Sequence, residues 1–163
     1  MRRDIQTAVS FLTARVKKPD KVDWGKLKRS LKYLKVTRRL KLTLTIESMG
    51  VIKWFVDGSH NTHWDCKGHG GAMMVMGYGA ISSYSRRIKV NTRSSTETKL
   101  VSVDAYMPEV LWSLYFIQSQ GYGVKYVEIH QDNVSAQMLE TNEKFSSSRK
   151  TNHFKAKFFF IKY

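Results

Sequence analysis

The order in which hydrophobic periodicity changes along the chain is the strongest constraint on its fold. Over 51–57 (Val-Ile-Lys-Trp-Phe-Val-Asp) apolar residues fall on both faces of an extended run, the pattern of a strand inside a sheet. Residues 71–76 and 80–87 read as two further strands around Gly77-Tyr78-Gly79, a hairpin signal. A helical pattern follows over 95–120, through Leu100, Val103, Met107, Val110, Leu111, Leu114 and Phe116. Pro108 inside it predicts a kink or break, and Gly121 supplies a C-terminal cap. Residues 124–131 form another strand, 133–142 a short helix and 152–162 a last helix. Three strands, helix, strand, helix, helix is most economically an α/β fold, a mixed sheet flanked by helices.

A different pattern precedes it. Ile5, Ala8, Val9, Leu12 and Val16 recur at helical spacing behind Asp4, an N-cap, and Lys17-Lys18-Pro19 ends that helix. Asp20 or Asp23 caps a second helix, with Trp24, Leu27, Leu31 and Leu34 as its apolar stripe. Its other faces carry Lys26, Lys28, Arg29, Lys32 and Lys35; such a basic face either follows a phosphate backbone or is simply solvated. Residues 40–46 alternate with period two, as in a half-buried strand, and 47–50 form a turn. The domain boundary is placed there, giving a helical segment over 1–50 and a strand-rich domain over 51–163.

Charge narrows the partners. Residues 1–50 hold 14 basic and 4 acidic side chains, the remainder 14 and 9, for a net charge of +15. Such an excess opposes compaction and points to a polyanionic partner, nucleic acid first. No apolar run approaches the roughly 18 residues of a membrane helix, so no membrane partner is expected. The single cysteine, Cys66, excludes an internal disulfide and fits an intracellular compartment, cytoplasm or nucleus.

Three carboxylates stand out. Asp57 and Asp132 each end a strand, and Glu97 lies in the first turn of the long helix behind Ser94-Ser95-Thr96. If the two strands are neighbours and the helix crosses them, the three acids converge, and converging carboxylates bind divalent metal because only a cation offsets their repulsion. Two such ions activate a water and stabilise a leaving oxygen in phosphodiester cleavage. For Glu97 the alternative is a simple favourable interaction with the helix dipole. His60, His63, Cys66 and His69 have zinc-like spacing, but four ligands within ten residues rarely wrap a tetrahedral ion, so they read as a polar surface loop. Trp54, Trp112, Tyr115 and Phe116 sit at core spacing and read as packing residues.

Phe55-Val56-Asp57-Gly58-Ser59, Ser94-Ser95-Thr96-Glu97-Thr98-Lys99-Leu100 and Gln131-Asp132-Asn133-Val134-Ser135-Ala136 together resemble the ribonuclease H domain of copia-type LTR retrotransposons. Asp4 to Val9, Trp24 to Leu34 with Thr37-Arg38, and Lys150 to Lys155 resemble flanking parts of such polyproteins, the first two the end of the reverse transcriptase. The resemblance covers nearly the whole chain. It implies a mixed five-stranded sheet with flanking helices, and hydrolysis of the RNA strand of RNA–DNA hybrids with two Mg²⁺ or Mn²⁺ ions. Asp57, Glu97 and Asp132 match family metal ligands; Ser95 and Asn133 would touch substrate sugar or phosphate, and Lys28, Arg29 and Lys32 would guide the duplex. The remainder of a reverse transcriptase polyprotein is an implied partner.

Three departures accompany the resemblance. The family places a fourth aspartate two residues after the histidine matching His153, where this chain has Lys155. A protonated lysine cannot ligate Mg²⁺, so His153 and Lys155 become candidates for contact with nucleic acid instead. The family continues beyond the position of Tyr163 into a further strand and tail, so an incomplete domain is expected. Val36 replaces a family glycine and is strained if that position needs positive φ. The departures favour a second reading, an impaired nucleic-acid-binding remnant of the same fold.

Overall fold

The computed structural model describes residues 2–132. Strands β1 (Val51–Ser59), β2 (His69–Val75), β3 (Ser82–Arg87) and β4 (Tyr126–His130) form a mixed sheet in the order β3-β2-β1-β4. β1–β2 and β2–β3 are antiparallel, and β1–β4 is parallel, joined through the helical crossover that a parallel pair requires. The expected mixed α/β class is therefore present, with helices flanking a four-stranded sheet.

Alternation along β1 explains how the sheet is covered. Ile52, Trp54, Val56 and Gly58 are buried, while Phe55, Asp57 and Ser59 are exposed. The long helix α3 (Ser95–Ser119) packs against β1 and β2 with Val103, Tyr106, Val110 and Ile117. Its two buried polar contacts to the sheet are satisfied: Trp54 Nε1 donates to Ser113 Oγ at 3.3 Å, and the Tyr106 hydroxyl to the Gly70 carbonyl at 2.8 Å. Gly58 and Gly70 face one another across β1 and β2, and a Cβ at Gly58 would lie 2.4 Å from Ser102 Oγ. The missing side chains let α3 approach the backbone at the end of β1. The helix runs unbroken through Pro108. Gly121, at φ +87°, ends it as expected, with Tyr122 N donating to the Ile117 carbonyl.

The amino-terminal segment docks on the other side of the hairpin. A 3-10 turn (Arg3–Ile5) leads into α1 (Gln6–Thr13), which packs on β3; α2 (Lys21–Val36) packs on α1. Gln6 Nε2 donates to the Ser83 carbonyl at 2.8 Å, Arg3 donates to the Ile81 carbonyl, and the Phe11 ring stacks on His63 with centroids 5.3 Å apart. Asp20 caps α2 and Asp23 returns the bond to the Asp20 amide, a full capping box.

Several expectations change. Asp4 does not cap α1; its carboxylate pairs with both Nε and Nη2 of Arg2. The α2 stripe is rotated: Asp23, Leu27, Ser30 and Leu34 face inward, whereas Trp24 and Leu31 are exposed, because α1 offers α2 only a narrow partner. Residues 40–46 form no strand. They cross the β2–β3 hairpin tip instead, held by Thr45 N to the Tyr78 carbonyl at 3.1 Å and Glu47 N to the Met76 carbonyl at 2.8 Å. Gly79, at φ +78°, admits them, since a Cβ there would sit 2.3 Å from the Thr43 carbonyl oxygen. Val36 is the last residue of α2 and is not among the residues of positive φ, so no strain attaches to it. Trp54 is core, but Trp112, Tyr115 and Phe116 are 61%, 63% and 49% exposed. α3 is apolar around most of its circumference, so its periodicity did not reveal which face meets the sheet.

Candidate functional site

The parallel pairing of β1 and β4 builds the site. Register partners Phe55 and His130 stack with centroids 4.6 Å apart and rings 13° from parallel. Two residues further along stand Asp57, still within β1, and Asp132, just past the end of β4, near enough for one ammonium to reach both. Both carboxylates are largely solvent-facing, with side chains 68% and 73% exposed. Between them lies Lys99, from the second turn of α3. Its Nζ donates to Asp57 Oδ1 at 2.9 Å and also to Asp132 Oδ1.

Lys99 reaches this position because of its place on the helix. It shares the i, i+4, i+7, i+11 stripe of Val103, Tyr106 and Val110, so its stem lies against the sheet while its ammonium extends to the rim. Burial alone would lower the Lys99 pKa, but the hydrogen bonds and charges of Asp132 and Asp57 outweigh it and the pKa is raised. The hydrogen bond from Lys99 holds the Asp132 carboxyl below the usual carboxylate range.

Glu97 takes a different part. Ser94 Oγ accepts from Glu97 N at 3.1 Å, and Glu97 Oε2 accepts from Arg93 N at 2.6 Å, so it participates in the cap of α3. Among the described residues, no group of three His, Cys, Asp or Glu side chains is arranged to hold a metal ion. The Asp57–Asp132 pair nevertheless has the donor chemistry for one: two hard carboxylates already converge on a single positive charge. Mg²⁺ or Mn²⁺ fits that donor set.

The site opens onto a cleft of about 600 Å³ on the sheet face away from α3. Its floor includes Phe55, Met73 and His130; Arg3, Gln6 and Thr7 form a wall, and Asp57 and Asp132 lie at its edge. Ser95 is an exposed residue in the first turn of α3. Lys28, Arg29 and Lys32 are all exposed on α2. Asn133, His153 and Lys155 lie outside the described residues, as do the helices expected over 133–142 and 152–162.

The histidine loop needs correction. Only part of it is polar surface: His63 and His69 are buried, with His63 Nε2 and His69 Nδ1 3.0 Å apart and His69 Nε2 2.8 Å from Ser85 Oγ. They pin the loop to β3 and give α1 its stacking partner. His60 Nδ1 lies 3.1 Å from both Thr92 Oγ1 and Thr98 Oγ1, tying the loop to the start of α3.

Lys99 is the residue sequence reasoning missed. The signal was available: a lysine on the core stripe of a helix, two positions from an acid expected at the site. No helix among the described residues is long and apolar enough to cross a membrane. No protein-family model, curated protein or solved structure matches the chain.

Proposed function

We propose that this chain is a ribonuclease H-like domain of copia-type retrotransposon ancestry, preceded by the end of a reverse transcriptase, which hydrolyses the RNA strand of RNA–DNA hybrids. The observation that carries the reading is the pairing of Asp57 with Asp132 around one cation at the rim of an open cleft. Asp57 and Asp132 would hold Mg²⁺ or Mn²⁺, with Glu97 joining them if its carboxylate leaves the Arg93 amide. Bound there, the metal would supply an activated water and charge stabilisation of the departing oxygen. The chain's own groups position the substrate: Arg3 presents a cation on one cleft wall, and the Phe55–His130 pair offers an exposed ring surface beside the carboxylates. The fold's excess of positive charge supports a polyanionic substrate.

The test is cleavage of a labelled RNA–DNA hybrid with Mg²⁺ or Mn²⁺, beside Asp57→Asn. The expected result is cleavage by the wild-type chain and its loss in the variant. Hybrid binding without metal-dependent cleavage overturns the enzyme reading and leaves a nucleic-acid-binding module of the same fold.

A further inference from the structure

We infer that Lys99 is a built-in competitor for the divalent cation, a tethered ammonium that sets the metal concentration at which the site loads. The inference rests on the proposed metal site and concerns its regulation. An ammonium and a divalent ion would compete for the place between Asp57 and Asp132, because Nζ, 2.9 Å from Asp57 Oδ1 and in contact with Asp132 Oδ1, already fills the space between the carboxylates and would repel a second cation there. For a metal to bind both carboxylates, Nζ must withdraw. The pair it must leave is open to solvent, with the Asp57 and Asp132 side chains 68% and 73% exposed. The stem itself is held, with the side chain only 13% exposed, so the ammonium remains close at hand.

Two consequences follow from charge. While Lys99 bridges the pair, it offsets the repulsion between Asp57 and Asp132, so the strand ends need no metal to stay together. Metal binding must then displace two exposed ion pairs, each of which contributes a factor of roughly two to five. Their combined effect weakens metal affinity on the order of tenfold. After displacement, Nζ lies beside the cleft as a free cation, where a phosphate oxygen is its natural next partner. Metal loading and phosphate engagement are thereby linked through one side chain.

The experiment measures Mn²⁺ binding to the full chain by the electron paramagnetic resonance signal of free Mn²⁺, in wild type, Lys99→Met and Asp57→Asn. Methionine keeps the length and the apolar stem contacts while removing the charge. The expected result is Mn²⁺ binding that depends on Asp57 and is on the order of tenfold tighter in Lys99→Met. Thermal melts in a chelator give a second expected result: Lys99→Met melts lower than wild type, and Mn²⁺ raises its melting temperature by more. Equal Asp57-dependent affinities in wild type and Lys99→Met overturn the role of Lys99 and leave the metal-site reading standing. Absence of Asp57-dependent binding from both chains overturns both. Should Lys99→Met fail to fold, Mg²⁺ is titrated into wild type and the Lys99 side-chain methylene resonances are followed, with Lys99→Arg for assignment. A saturating shift supports displacement, and unmoved resonances during Asp57-dependent Mg²⁺ binding overturn it.

Discussion

Gly58→Ala probes the contact that carries Lys99 to the carboxylates. The new methyl carbon would sit 2.4 Å from Ser102 Oγ, 3.0 Å from the Thr98 carbonyl oxygen and 3.3 Å from Ser102 Cβ. None of these is the far end of a flexible chain, and Ser102 is fully buried, so α3 must move away from β1 or the strand must bend. Overpacking of this kind costs about 1–3 kcal/mol. Ser102→Ala removes the worst of the three contacts, at the expense of the Ser102 hydroxyl's bond to the Thr98 carbonyl, a loss of about 1 kcal/mol. The double variant Gly58→Ala/Ser102→Ala should therefore be less destabilised than the sum of the singles by about 1 kcal/mol. Urea denaturation of the four chains measures this coupling directly. Additivity within about 0.5 kcal/mol would refute the reasoning, because it would mean the helix is not seated on Gly58. The displacement should also reach the site: Lys99 lies on the preceding turn of α3, so Gly58→Ala should alter the Mn²⁺ affinity of the Asp57–Asp132 pair more than a substitution of similar cost at the far end of the helix.

Two further outcomes are expected. Burial lowers His63 and His69 below the ordinary 6.5, with Arg87 adding to the effect on His63 and His63 adding to that on His69. The native state therefore favours neutral rings; their contribution is complete above pH 6.5 and is lost as pH falls from there through the folded pKa values. Urea midpoints should fall between about pH 7.5 and about pH 5.5, with a smaller fall in His69→Gln; identical midpoints in the wild-type chain would sink the idea. On α2, replacing Lys28, Arg29 and Lys32 together with alanine should lower the salt dependence of hybrid binding by about two to three phosphate contacts if this face lies along the backbone. An unchanged slope would identify the face as merely solvated.

What was legible in the sequence is what local chemistry decides. The extended run of β1, though not its alternation, the Gly77-Tyr78-Gly79 turn, an aspartate cap on α2 and the Gly121 stop each depend on residues within a few positions of one another. That Asp57 and Asp132 follow apolar strand residues was legible for the same reason, although β1 runs on past Asp57 to Ser59 and Asp132 lies beyond the end of β4. Their meeting could be read only on the condition that the two strands are neighbours, and that condition is met by β4 pairing parallel to β1 across a crossover of more than sixty residues. Tertiary structure also overrode local pattern. Residues 40–46 alternate like a strand, yet they lie across a hairpin tip. Trp24, Leu31, Trp112, Tyr115 and Phe116 have core chemistry, yet remain exposed among the described residues, since each helix buries only the face a neighbour meets. His63 and His69 looked like loop polarity and are a buried, hydrogen-bonded pair. Lys99 shows the division most clearly. Its spacing put it on a core stripe, but only the close seat of α3 on Gly58 and the pairing of β1 with β4 set its ammonium between two carboxylates. Sequence determines which groups a segment carries and how its backbone prefers to run; which distant charges meet is decided by packing, because that energy exists only once the chain has folded.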